Sequence, residues 1–183
     1  PPLFVASIAA GFKVFGESIE TARLVSLILA STGLLAIGLI GQHIYGKSAG
    51  IIAAIFLAVA PDFYLYSRVP NGTLVSLSIF MWSILFGLYY HNSGKAHWLH
   101  LASFLATLGL FFNFVPFFLL PVPGVIIAMR HFDDDGQTLA SRFKNLTLDS
   151  IKAAPPFIGA ILLCLIMFDA HAFIGQVFLH HLS

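Results

Sequence analysis

Apolar residues occupy long, almost uncharged stretches of this chain, and short polar segments separate them. A helix needs roughly 17–25 apolar residues to cross about 30 Å of hydrocarbon. Six stretches come near that length: about Leu24–Gln42, Ala49–Tyr66, Thr73–Tyr90, Ala96–Phe112, Val115–Met129 and Ala153–Phe168. The pattern predicts an all-α fold, a polytopic transmembrane helix bundle of about six spans, with residues 1–183 as a single transmembrane domain.

The fourth and fifth spans come from one uncharged run, which is too long for a single crossing at about 1.5 Å per residue. We divide it near Asn113, because Pro116 lacks a backbone donor and favours a break there. One long tilted helix is the alternative.

Two segments fall outside the six spans. Residues 1–16 contain a short apolar stretch that predicts an interfacial or half-buried helix ending at Gly16. Residues 130–152 form the longest polar segment and are expected to be a loop between spans.

Small residues recur where two of these helices could pack. Gly50, Ala54 and Ala58 are four residues apart, and the preceding span carries Gly33, Gly38 and Gly41. Because lipid gives helices no hydrophobic reason to associate, close backbone approach at small residues is the usual basis of packing. These positions predict a scaffold rather than a chemical site.

Composition supports the membrane assignment. Of 183 residues, 58% are hydrophobic and 9% are charged, whereas soluble domains carry about 25% charged residues. The net charge is only +1, and no basic stripe of the kind that binds nucleic acid is present. A chain that begins Pro-Pro, with no Met and no basic leader, is expected to be part of something longer.

Lysine and arginine set the predicted orientation, because they concentrate in cytoplasmic loops. Six spans place six of them on one side, Lys47, Lys95, Arg130, Arg142, Lys144 and Lys152, against Lys13, Arg23 and Arg68 on the other. The first side is therefore predicted to be cytoplasmic, including the 130–152 loop, and both chain ends are extracytoplasmic.

No motif in the chain predicts a metal site. Asp133–Asp135 could suggest a metal or sugar-nucleotide site, but without a neighbouring strand pattern a solvated turn is the better interpretation. His97 and His100 share a helix face, yet no carboxylate or cysteine completes a ligand set, so interfacial histidines are expected.

An ordered series of short features carries a resemblance to a known superfamily. The series is Pro1-Pro2-Leu3, Phe15-Gly16, Ala22-Arg23-Leu24, Gly41 with Tyr45-Gly46, Ala49-Gly50, Ala60-Pro61, Tyr66-Ser67-Arg68 and Pro70-Asn71. It resembles the polyprenyl-phosphate-sugar-dependent glycosyltransferases of the GT-C superfamily, of the protein mannosyltransferase and aminoarabinose transferase type. The resemblance is dense over residues 1–92 and weaker over 93–183.

The resemblance implies a membrane glycosyltransferase that moves a sugar from a polyprenyl-phosphate donor to a lipid, glycan or protein acceptor. The expected location is a multi-pass protein of the cell (inner) membrane with an extracytoplasmic active face. In that superfamily the general base is an acid in the first extracytoplasmic loop. We therefore expect it upstream of Pro1 and expect this stretch alone to transfer no sugar. A divalent metal ion in the full-length enzyme is left open.

The same resemblance implies substrate-binding roles for four residues: Pro2, Tyr66, Arg68 and Asn71. Arg68 could hold the donor phosphate or could be an interfacial anchor that snorkels. Asp62 is a weak candidate for the base, the alternative being a plain acid at a helix end. The sequence Asn71-Gly72-Thr73 matches a glycosylation sequon, although a turn that starts the next helix is favoured there.

Two other protein classes stay open on the sequence alone. A transporter or flippase subunit would place charges near mid-membrane and carry inverted repeats, whereas Asp62 and Arg68 lie at a span end and no repeat is visible. A non-catalytic membrane scaffold is the third possibility.

Overall fold

A computed structural model describes residues 2–113, 121–132 and 139–167, and in these ranges the secondary structure is helical, without strands. The all-α prediction is confirmed. The helices are α1 (Pro2–Phe15), α2 (Ile19–Tyr45), α3 (Lys47–Val59), α4 (Pro61–Ser67), α5 (Gly72–Ser93), α6 (Ala96–Phe112), α7 (Pro121–Phe132) and α8 (Leu139–Met167).

Helices α1 and α2 form an antiparallel hairpin. Gly16 takes the left-handed conformation at φ 86° that ends α1, and Ser18 caps α2 by accepting a 3.0 Å hydrogen bond from the Thr21 amide. Gly11 lies against Val25, so a side chain at position 11 would collide with it. The segment predicted over residues 1–16 is therefore helical, while its depth in a membrane stays a prediction.

Helices α2 and α3 approach at the small residues that the sequence singled out. Gly41 lies against the Gly50 backbone, and Gly38 lies against Ala54. Gly33 instead faces Ser78 of α5. The expectation of close backbone approach is confirmed at Gly38, Gly41, Gly50 and Ala54, whereas Ala58 is exposed.

The second predicted span is broken. Helix α3 ends at Val59, Ala60 takes an extended conformation, and α4 starts at Pro61 with a bend of 62° between the two helices. Pro61 suits the first turn of a helix and disfavours the interior of one, because it has no backbone N–H and its ring clashes with the preceding turn.

Helix α5 lies at the centre of the bundle, where three serine hydroxyls donate to backbone carbonyls of neighbouring helices. Ser78 Oγ reaches Ala30 of α2 at 3.0 Å, and Ser76 and Ser83 reach Gly109 and Ala102 of α6 at 2.5 and 2.7 Å. All three side chains are fully buried. The pairings make α5 parallel to α2 and antiparallel to α6.

The break predicted near Asn113 is confirmed, since α6 ends at Phe112 and Asn113 is its extended C-cap. The described part of the next helix, α7, begins at Pro121, and residues 114–120, with Pro116, lie outside the described residues. The 12 described residues of α7 are by themselves shorter than a membrane span.

The segment 130–152 is helical wherever the structure describes it. Arg130–Phe132 complete α7, and residues 139–152 form the first half of the 29-residue α8, which continues past Pro155 and Pro156. The Asp133–Asp135 turn lies outside the described residues. Whether this segment faces the cytoplasm stays a prediction.

Among the described residues, two helices, α2 and α5, are long and apolar enough to cross a membrane, and the bent pair α3–α4 would make a third. Helix α6, with 17 residues, is at the lower limit for a span, and α1, with 14, is below it. A helical membrane domain is supported, and the count of six crossings stays a prediction.

Candidate functional site

The residues assigned to substrate binding cluster where α4 ends and α5 begins. Arg68 is the C-cap of α4, and its guanidinium carbon lies 3.9 Å from the centroid of the Tyr64 ring. This is a cation–π contact. Arg68 is exposed, and Tyr66 is 48% exposed on the same short helix.

Asp62 lies in the first turn of α4 and is exposed. Asp62 and Arg68 both lie within the residues that the structure describes, and no ion pair joins them. An acid in the first helical turn interacts favourably with the partial positive charge of the helix N-terminus. This position accounts for Asp62 without a catalytic role.

Asn71 caps α5. Its Oδ1 accepts hydrogen bonds from the Thr73 amide at 2.9 Å and from the Thr73 hydroxyl at 2.8 Å. The expectation that Asn71-Gly72-Thr73 is a turn starting the next helix is confirmed, with α5 beginning at Gly72. The cap extends across the bundle, because Asn113 Nδ2 donates to Thr73 Oγ1 at 2.6 Å.

Pro2 lies at the start of α1, and two residues later Phe4 is buried against Val75 and Phe112. A side chain at Gly72 would collide with the Phe112 carbonyl oxygen and approach Phe4. The structure therefore brings the start of α1 to the same end of the bundle as Asn71. The contact from Asn113 to Thr73 is one that the sequence analysis missed.

A second polar cluster occupies the opposite end of the bundle, where α5, α7 and α8 meet. The Asp149 carboxylate accepts from the Tyr90 hydroxyl, from His131 Nε2 at 2.8 Å and from Lys152 Nζ at 2.9 Å. Tyr90, His131 and Asp149 are 3%, 8% and 7% exposed. We call Tyr90, His131, Asp149 and Lys152 the Asp149 cluster.

Arg130 adds a further tie between α7 and α5. Its Nη1 donates to the carbonyl oxygens of Tyr90 and His91, at 2.8 and 2.5 Å, which lie in the last turn of α5. A cation at that point satisfies carbonyls that have no partner within the helix. Gly94 follows in the left-handed conformation, at φ 68°, and a side chain there would collide with Arg130.

Asp149 precedes the predicted span that starts at Ala153. Burial alone would raise the pKa of its carboxyl, but the hydrogen bonds from Tyr90, Lys152 and His131 outweigh burial and hold the pKa below its usual value. The carboxylate is thus ionised and supplied with donors. Such a cluster holds helices together and offers no free group for chemistry.

The sequence analysis missed the Asp149 cluster because its members are 18 and 59 residues apart. The sequence contains one indication of this cluster, the position of Asp149 among apolar residues. Asp149 lies three residues after Leu146 and four before Ala153, which places it on the face of α8 that packs against Tyr90 and Leu99. A lone acid on the apolar face of a helix needs a buried partner.

No group of three or more His, Cys, Asp or Glu side chains in the described ranges is arranged to hold a metal ion.

Comparison with known proteins gives one match. A family model described as dolichyl-phosphate-mannose-protein mannosyltransferase matches residues 1–173. Searches of curated proteins and of solved structures found no match. The match covers nearly the whole chain, including residues 93–173, where the sequence features were sparse.

Proposed function

Because the chain belongs to the dolichyl-phosphate-mannose-protein mannosyltransferase family, a family of membrane glycosyltransferases of the GT-C type, we propose that Arg68 binds the phosphate of a polyprenyl-phosphate sugar donor at the extracytoplasmic face. The sugar then passes to a lipid, glycan or protein acceptor. The family supports this proposal over a transporter, a flippase subunit or a scaffold.

The observation that carries the proposal is the setting of Arg68. The residue is exposed at the end of the bent α3–α4 pair, beside the capped start of α5, and its guanidinium is steadied by Tyr64. A guanidinium held by an aromatic ring loses less freedom when it binds a phosphate, and its fork can make two parallel hydrogen bonds. At a membrane end the lipid tail of a donor can stay in the hydrocarbon while its phosphate reaches this arginine.

Transfer from a lipid phosphate requires a base that takes the acceptor proton and a cation that stabilises the departing phosphate. We assign the second role to Arg68. We propose that the base is an acid of the first extracytoplasmic loop, as the resemblance implies, and Asp62 is the weak candidate within this chain. Pro2, Tyr66 and Asn71 are proposed to line the donor site around Arg68.

The test is donor binding and turnover in the full-length protein with dolichyl-phosphate mannose as the probe. Arg68→Ala should lower turnover by about 100- to 1,000-fold, the usual cost of removing one group that stabilises developing negative charge. Arg68→Lys should restore part of it, because a point charge replaces the charge but not the fork.

Arg23→Ala is the matched control, since Arg23 is also an exposed arginine and is predicted to lie on the same side of the membrane. It should leave donor binding and turnover within about twofold of the parent protein, as is usual for an exposed surface position. If Arg68→Ala binds and turns over the donor as the parent protein does, Arg68 is an interfacial anchor. The same conclusion follows if the turnover of Arg23→Ala falls as far as the turnover of Arg68→Ala.

A further inference from the structure

Four aromatic side chains form a continuous ladder along one face of α5 and the start of α6. Trp82 contacts Phe86 with ring centroids 5.9 Å apart, and Trp98 stacks on Phe86 at 5.4 Å and meets Tyr89 edge-on at 5.2 Å. All four are half-buried, so each keeps part of its ring on the outer surface. We call Trp82, Phe86, Tyr89 and Trp98 the aromatic ladder.

Histidines and lysines border the outer end of the ladder. His43 meets the Tyr89 ring at 5.1 Å, and His97 meets Trp98 at 4.6 Å. Lys47 is exposed at the first position of α3, and Lys95 is exposed at the N-cap of α6, at the same end of the bundle. Residues 21–61 and 63–132 contain no Asp or Glu. This surface of α2, α3, α5 and α6 is therefore basic without a nearby acid from those helices.

The position of the ladder along α5 fits one boundary of a bilayer. Tyr89 follows Gly72 by 17 residues, which corresponds to about 26 Å along a helix. That distance is close to the roughly 30 Å of a hydrocarbon core. The half-exposed Tyr64 and Tyr66, with Arg68, lie just before Gly72 at the other end. Tyrosine and tryptophan are enriched at both edges of the hydrocarbon, where an amphipathic ring meets the headgroups.

From these observations we propose that Tyr89 and Trp98 lie at the headgroup boundary of the bilayer, with Trp82 deeper in the hydrocarbon, and that Lys47 and Lys95 bind anionic phospholipid headgroups there. The partner is thus a lipid surface rather than a protein, and the proposal does not depend on sugar transfer. It fixes both the depth of the bundle and the charge of the lipid that this end prefers.

The depth test uses the two tryptophans of residues 1–183, in a protein that carries phenylalanine in place of any tryptophan outside these residues. Single-tryptophan proteins, Trp82→Phe and Trp98→Phe, are reconstituted in phosphatidylcholine vesicles whose acyl chains carry bromine near the headgroup or near the chain end. Bromine quenches indole fluorescence at contact. Trp98 should be quenched best by the shallow bromine. Trp82, which lies seven residues before Tyr89 and thus about 10 Å deeper, should be quenched best by the deep bromine.

Equal depth profiles for the two indoles, or no quenching of either by any bromolipid, would overturn the assignment. The second outcome would mean that a protein covers the ladder. If a variant fails to fold, the parent protein is measured instead, since both shallow and deep bromine should quench part of its total indole fluorescence.

The charge test compares quenching of Trp98 by brominated phosphatidylglycerol with quenching by brominated phosphatidylcholine. The ratio should exceed one, and the double variant Lys47→Gln, Lys95→Gln should lower the relative affinity for phosphatidylglycerol by about fivefold or more, the usual effect of a basic residue at an anionic surface. Lys13→Gln is the matched control, because Lys13 is exposed near the end of α1, away from the ladder, and should leave the ratio unchanged. A ratio of one, or a ratio that the double variant does not alter, contradicts the lysine assignment.

Discussion

Removing the Asp149 carboxylate should loosen the junction of α5, α7 and α8 more than any exposed substitution in this chain. In Asp149→Ala, the Tyr90 hydroxyl and His131 Nε2 each lose an acceptor while remaining buried. A hydrogen bond to a charged group contributes roughly 1.5–3 kcal/mol, so the two together predict a loss of about 3–6 kcal/mol in the free energy of unfolding. That range includes the usual cost of about 3–5 kcal/mol for breaking a buried ionic contact by removing one partner.

Lys152 adds little to this sum. Its side chain is 54% exposed, so its ammonium group is solvated whether or not Asp149 is present, and an exposed pair contributes at most about 1 kcal/mol. Asp149→Asn should therefore fall between the parent protein and Asp149→Ala, because the amide oxygen can still accept from Tyr90.

The measurement is unfolding of the full-length protein in mixed micelles by a denaturing detergent, followed by circular dichroism. Glu17→Gln is the control, since Glu17 is an exposed acid in the turn between α1 and α2 and should change stability by less than about 0.5 kcal/mol. An Asp149→Ala protein as stable as the Glu17→Gln protein would refute the reasoning. Tyr90→Phe in both backgrounds supplies a double-mutant cycle, and additive effects would show that the hydroxyl and the carboxylate do not interact.

Three further outcomes are expected. Single cysteines that replace three exposed lysines on the predicted cytoplasmic side should not react with an impermeant thiol reagent added outside intact cells. The positions are Lys47, Lys95 and Lys144. Strong labelling at any one of them would reverse the predicted orientation. Gly50→Ala should destabilise the α2–α3 pair, because the added carbon would collide with the Gly38 carbonyl oxygen, whereas Gly38→Ala makes only ordinary contacts at 3.5 Å. Equal melting temperatures of the two variants would contradict this. Since the folded-state pKa of Asp149 is depressed, its contribution to stability should be complete above its unfolded pKa of about 3.9 and disappear as the pH falls through the folded value; an acid unfolding profile that Asp149→Asn does not alter would count against it.

Local chemistry was sufficient to predict several helix boundaries. Gly16 and Asn71 determine where α1 ends and where α5 begins, and both could be recognised because glycine tolerates positive φ and asparagine caps helices. The break inside the second span was not predicted, although Pro61 stood in the middle of it. Hydropathy averages over a window and does not register a single missing N–H.

Of the two candidate sites, one was predicted from the sequence and the other was not. Arg68 was singled out by its place in the series of features that carries the resemblance, and its contact with Tyr64 is only four residues away. The Asp149 cluster required knowledge of which helices pack together, because Tyr90, His131 and Asp149 lie on three different ones. The helical state of residues 139–152 was hidden by their charge, which suggested a loop.

The three buried serines of α5 limit which substitutions their positions can tolerate. Each hydroxyl donates to a carbonyl oxygen that lies within a helix and also accepts a backbone hydrogen bond there. An alanine in place of the serine would therefore lose one hydrogen bond but would leave that carbonyl oxygen with a partner. A valine or leucine would instead force two backbones apart, as the buried setting of all three allows no expansion. At positions 76, 78 and 83, relatives are therefore expected to exchange serine for alanine, glycine or cysteine far more often than for any bulkier residue, polar or not. Selection on this helix acts on side-chain volume.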